Sequence, residues 1–126
     1  MRPQSLAEVA ELTMQGESFH LSLSEFLDEF YREPNQNALT AEPAVLHDKI
    51  TEQGKVYDAY LAATAETLAC QYHLDTPSWA YAPTRQLHHP WFALNLASLR
   101  AVLLWESPPA FRSRNLFVSE NALSRA

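Results

Sequence analysis

The sequence predicts an all-α fold, and three observations carry that reading. Only two glycines, Gly16 and Gly54, stand against eight prolines in 126 residues, so hairpins that need positive φ are poorly supplied while helix breaks are plentiful. Apolar residues recur at helical spacing through most of the chain. The composition, 47% hydrophobic and 19% charged, is that of a folded domain rather than a disordered one. A chain of this length buries roughly two thirds of its unfolded surface. The expectation is therefore a single helical domain over residues 1–126, with about five to six helices, an aromatic, proline-rich loop and a C-terminal clasp.

The first helix opens at Ser5, which caps it with Glu8 reaching back, carries Leu6, Val9, Ala10 and Leu12 at helical spacing, and stops at Gly16. A second capping pattern, Ser22 with Glu25, opens the next helix. Its Leu23, Phe26, Leu27, Phe30 and Tyr31 make the cleanest amphipathic stripe of the chain, and Glu33-Pro34-Asn35 ends it. Residues 35–50 hold no sustained period and read as a loop with a short helical turn around Pro43 to His47. From Glu52 to His73 runs the longest helix, apolar over so wide an arc that it belongs at the centre, with Asp58 and Glu66 inside it in need of water or a partner. Cys70, the single cysteine, falls in this pattern and reads as a small core residue in a reducing compartment.

Pro77, Pro83 and Pro90 then punctuate an aromatic loop with Trp79, Tyr81, Trp91 and Phe92, expected to fold over the helices. A fourth helix runs from about Leu96 through Leu99, Val102, Leu103 and Trp105 to Ser107-Pro108-Pro109, where Ser107 is the expected N-cap of a short helix over AFRSR. Leu116-Phe117-Val118 is β-prone but too short for an independent sheet, and Ser119 caps a last turn through Leu123. Phe111 and the 116–118 run anchor the chain end to the core. Arg112 and Arg114, two apart, cannot share a helix face, so at most one of them is tied into the fold.

The net charge of -6 conceals a division. Residues 1–84 hold thirteen acids and four bases, whereas residues 85–126 hold two acids and five bases. Between Pro3 and Tyr31 there are six acids and no base, so two short N-terminal helices of helix-turn-helix size would repel a phosphate backbone, and no direct DNA binding is expected. The C-terminal arginines read as capping groups or as ion pairs with the acidic segments. No apolar run reaches the roughly 18 residues a membrane span needs, and the first residues lack a signal-peptide pattern, so a cytoplasmic protein with no membrane partner is expected.

Catalytic signatures are missing. His88 and His89 are adjacent, His20, His47 and His73 are isolated, and no paired-cysteine, H-E-x-x-H, glycine-rich phosphate or nucleophile-elbow pattern occurs. No catalytic residue, cofactor or metal is assigned, and the balance leans away from an enzyme. Asp58 and Glu66, eight apart on one helix, read as structural carboxylates rather than a catalytic pair.

The succession DAYLAATAETLA, PSWA, HHPWF and LRAVLLWESPPAFRSRNLFVSENALSRA resembles a group of small bacterial proteins or protein regions, sometimes found behind a helix-turn-helix domain. The likeness covers roughly residues 55–126, and more loosely 5–45. Members of that group are often encoded beside a nucleotidyltransferase-like gene, an arrangement similar to toxin–antitoxin pairs. The resemblance implies an antitoxin-like protein that binds and restrains a nucleotidyltransferase-like partner, with no catalytic residues to carry over. The side chains assigned to partner binding are Arg85, Trp91, Phe92, Arg112 and Arg114. The alternatives are a small enzyme with a pocket at the aromatic loop, using His88, His89 and Arg85 as acid–base or anion-binding groups, and a structural subunit.

Overall fold

The longest apolar stretch becomes the central element. The computed structural model describes residues 2–50, 52–93 and 97–125. Among them are six helices: α1 (Leu6–Met14), α2 (Phe19–Arg32), α3 (Asn37–Thr40), α4 (Glu52–Gln71), α5 (Ala97–Glu106) and α6 (Pro109–Arg112). Two 3-10 turns, Ser78–Tyr81 and Pro83–Arg85, and one parallel pairing of β1 (Trp91–Phe92) with β2 (Leu116–Phe117) complete the described architecture. The fold is all-α. The start of the helix expected from Leu96 lies outside the described residues.

Along α4, Ala59, Ala62, Ala63, Ala65 and Ala69 are buried together with Tyr60, Leu61, Thr64 and Leu68. Five alanines on one helix let neighbouring backbone approach closely, and α4 packs against both 3-10 turns, α6 and β2. It ends where His73 takes a positive φ of 58° and the Leu74 amide donates to the Ala69 carbonyl. That left-handed residue satisfies carbonyls that the helix end leaves open. Gly16, at φ 100°, ends α1 in the same manner.

α1 and α2 pack on each other, and α2 reaches the central helix and the residues just after it through aromatic rings. Phe19 stacks on Tyr57 at 4.1 Å between centroids, and Phe30 meets Tyr72 edge-on at 5.4 Å. Burial of Phe19 also moves the start of α2 one turn earlier than the Ser22–Glu25 pattern indicated. Ser18 is the N-cap, accepting from the Leu21 amide, and Ser22 is buried inside the first turn. The turn expected at Pro43–His47 is likewise displaced. Asn35 accepts from the Ala38 amide and starts α3, while the Leu46 and His47 amides are taken by the Asp58 carboxylate. Cys70 faces outward and is exposed, because the buried arc of α4 closes at Ala69 and leaves the next position to solvent.

The chain end is a clasp. Phe111 is fully buried with its ring edge-on to Tyr60. The Tyr31 hydroxyl donates to the Leu123 carbonyl at 2.7 Å, and Arg125 forms a two-pronged pair with Asp28. That pairing holds the Asp28 carboxyl below its usual range. Ser107 does not cap α6, whose N-cap is Pro108 with no side-chain bond. Its hydroxyl instead accepts from the Val118 amide at 2.6 Å and faces the Val118 and Leu116 carbonyls, serving backbone groups of the clasp. Asn115, at φ 64°, turns the chain from α6 into β2 and donates its side-chain amide to the Leu87 carbonyl.

The two clasp arginines separate. Arg114 is buried, donating to Glu66 Oε1 (2.6 Å) and to the Ala110 and Ala80 carbonyls (2.8 and 2.9 Å), whereas Arg112 is exposed. In urea unfolding, Arg114→Ala is expected to cost about 2–5 kcal/mol, since it strands two buried carbonyls and a carboxylate. Phe111→Ala is expected to cost about 3–5 kcal/mol, and Arg112→Ala to stay within about 0.5 kcal/mol of the parent. Equal losses at both arginines would contradict this division.

Candidate functional site

Two surface features stand apart from the packed interior: a groove beside the aromatic loop and the outward face of α5. The groove encloses about 830 Å³. His47, Lys55 and Val56 form one side, and Pro83, Thr84, Gln86, Leu87, His88, His89, Pro90 and Trp91 form the other.

Gly54 sets the first side. A Cβ there would meet the Leu46 carbonyl oxygen at 2.6 Å and the His47 Cα at 2.9 Å. Only hydrogen fits, so the start of α4 lies directly against the 46–47 backbone and places His47 beside Lys55. Asp58, one turn further along α4, fixes the arrangement. Its buried carboxylate accepts from the Leu46 amide (2.7 Å) and the His47 amide (3.1 Å) and lies 3.2 Å from His47 Nδ1. The other ring nitrogen, Nε2, lies 3.2 Å from Asp48. His47 is thus held by carboxylates at both ring nitrogens.

The second side is tied down by Arg85, whose side chain is fully buried. One Nη donates to the Pro43 carbonyl at 2.6 Å, the other lies 3.6 Å from Asp58 Oδ1, and the guanidinium sits 5.1 Å from the Trp79 ring centre. Burial lowers the Arg85 pKa, with the Asp58 and then the Glu42 carboxylate opposing it. Trp79 in turn donates its indole N–H to the Leu39 carbonyl. One guanidinium therefore links the 42–47 segment, α4 and the turn at 83–85.

α5 presents the other feature. Leu103 is 2% exposed and attaches the helix, whereas Val102, Leu104 and Trp105 are 47%, 46% and 87% exposed. At 3.6 residues per turn, Ala101, Val102, Leu104 and Trp105 fall on one continuous face, with Trp105 near its middle and Leu103 opposite. Helices with apolar side chains on all sides are ordinarily buried. This one lies at the surface.

The residues assigned to partner binding from sequence divide accordingly. Arg85 and Arg114 are buried and hold the fold together, because α4 offers Asp58 and Glu66 as internal partners; neither guanidinium is presented to a protein surface. Arg112 is exposed, and Trp91 and Phe92 are half-buried, Trp91 in the groove and Phe92 stacked on Phe117 with Arg100 over its ring. His88 and His89 line the groove together. Sequence reasoning missed His47, Lys55 and Gly54, which no motif marks, and placed Val102 and Trp105 along the fourth helix without marking them as exposed. Among the described residues no three His, Cys, Asp or Glu side chains gather into a metal-binding group. No helix there is long and apolar enough to cross a membrane.

No protein-family model matches the chain, and neither a curated protein nor a solved structure does.

Gly54→Ala is expected to disturb the groove as well as the fold. The new methyl meets backbone, which cannot swing aside, so a loss of about 1–3 kcal/mol is expected in urea unfolding. The amide resonances of Leu46 and His47 should shift most. A variant as stable as the parent, with those resonances unmoved, would contradict the close approach.

Proposed function

We propose that this chain is a protein-binding, antitoxin-like module that docks a partner through the outward face of α5 and restrains it by occlusion. The observation that carries the reading is Trp105, 87% exposed at the centre of an apolar helix face. Contiguous exposed apolar surface marks interaction sites, and tryptophan is enriched among the residues that dominate binding energy. A nucleotidyltransferase-like enzyme is the partner to try first, on the resemblance of residues 55–126. The acidic balance of the chain supports a partner with a basic face and disfavours duplex DNA, since charge complementarity speeds encounter and suppresses wrong pairing. The rival reading, an enzyme at the aromatic loop, loses Arg85 as its anion-binding group, because that guanidinium is enclosed.

The test is co-expression with the product of an adjacent nucleotidyltransferase-like gene, followed by size-exclusion chromatography and an affinity measurement. A stable complex is expected. Trp105→Glu should weaken it at least about 30-fold, the equivalent of 2 kcal/mol for a central aromatic, while leaving the melting temperature unchanged. A complex that forms equally well with Trp105→Glu would overturn α5 as the docking face. Failure of the wild-type protein to bind would overturn this choice of partner.

A further inference from the structure

The groove has a chemical character of its own, independent of α5. Its described lining includes Lys55 and the imidazoles of His47, His88 and His89, but no carboxylate. The loop side draws on a part of the chain that holds no acid between Asp75 and Glu106. Two acids close to His47 are already engaged: Asp58 lies buried, bonded by two amides and facing His47 and Arg85, and Asp48 faces His47 Nε2. Thr84 and Gln86 add neutral donors, while Val56, Leu87, Pro90 and Trp91 add apolar surface, including one large aromatic ring.

We propose that this groove is a binding site for a small amphipathic organic anion: a planar aromatic body bearing a carboxylate, sulfonate or phosphate. The body lies against Trp91, Leu87 and Val56, and the acidic head meets Lys55, His88 and His89. Apolar lining with a few convergent polar groups is the usual make-up of small-molecule sites, and a volume of about 830 Å³ falls in their customary range. An extended peptide fits less well. The neighbouring strand β1 spans two residues and already pairs with β2, so it offers too short an edge for strand addition.

The walls are built to hold still. Pro83 and Pro90 fix φ on the loop side, and Asn115 clamps the Leu87 carbonyl at 2.7 Å. The Leu87 and Trp91 amides donate to the Arg114 and Asn115 carbonyls. On the opposite side, the Gly54 contact and Asp58 hold His47. These contacts hold Leu87, Trp91 and His47 in place before a ligand arrives, which reduces the ordering cost of binding at the apolar side of the groove.

The probe for this proposal is 8-anilinonaphthalene-1-sulfonate, an aromatic sulfonate, titrated into the full chain beside its uncharged relative N-phenyl-1-naphthylamine. Saturable one-to-one binding of the sulfonate is expected, at least about tenfold tighter than the neutral compound. Amide shifts should centre on residues 55–56 and 83–91. Lys55→Glu, at an exposed position, should weaken the sulfonate at least about tenfold and leave the neutral compound and the melting temperature unchanged; Trp105→Ala should change neither affinity. Three results would overturn the proposal: equal affinity for the two compounds, shifts confined to α5, or no saturation up to about 1 mM. Groove shifts caused only by a protein partner, with none from the sulfonate, would make the groove a protein contact and sink it too.

Discussion

Two guanidinium groups taken inside the protein hold its C-terminal third to its central helix. Arg85 meets Asp58, and Arg114 meets Glu66; both acids stand on α4, eight positions apart. Charges withdrawn from water are costly unless their partners and hydrogen bonds are well placed. Here each arginine also collects backbone carbonyls: Pro43 for Arg85, Ala80 and Ala110 for Arg114. These contacts join segments far apart in sequence, and they join them in one register, because a planar guanidinium accepts partners only along its N–H directions. The arrangement is not perfectly satisfied. Nε and one Nη of Arg85, and Nε of Arg114, have no hydrogen-bond partner among the described residues. The pairs therefore specify how the chain is assembled more than they add net stability.

The division of charge along the sequence gains a meaning from this. A basic C-terminal third following an acidic first two thirds looks, in one dimension, like a recognition surface. In three dimensions the bases at Arg85, Arg114 and Arg125 turn toward Asp58, Glu66 and Asp28 of the same chain. What remains for recognition is apolar on α5 and donor-rich in the groove. The two features depend on the staples in different ways. The groove has Arg85 and Asp58 immediately beneath it, whereas α5 is attached through Leu103 and its contacts with β2.

Much of the helical layout was legible in the sequence because helices announce themselves by period. The stripe at Leu23, Phe26, Leu27 and Phe30 is buried as the spacing requires, α4 is central, and Phe111 with the 116–118 run anchors the clasp. The i, i+2 rule also separated Arg112 from Arg114 without saying which would enter. Other signals were overridden by tertiary contacts. Ser22 and Ser107 both stand where caps are expected, yet Phe19 stacking on Tyr57 moved one helix start, and Val118 claimed the other hydroxyl. The candidate site was less legible. His47, Lys55 and Trp91 come from three segments, and what assembles them is a close backbone approach at Gly54 and a buried ion pair. Neither leaves a local pattern. The exposure of Trp105 was not legible, because periodicity marks apolar residues and not the neighbour that covers them.

The Asp58–Arg85 pair is open to direct measurement by a double-mutant cycle in urea unfolding. Asp58→Asn alone leaves the guanidinium without its buried counter-charge, with only the exposed Glu42 carboxylate at 3.8 Å, and should cost about 3–5 kcal/mol. Combined with Arg85→Met, which removes that orphaned charge, much of the loss should return, giving a coupling energy above about 1 kcal/mol. Losses that simply add, or an Asp58→Asn protein as stable as the parent, would contradict the claim that this buried pair organises the fold around the groove.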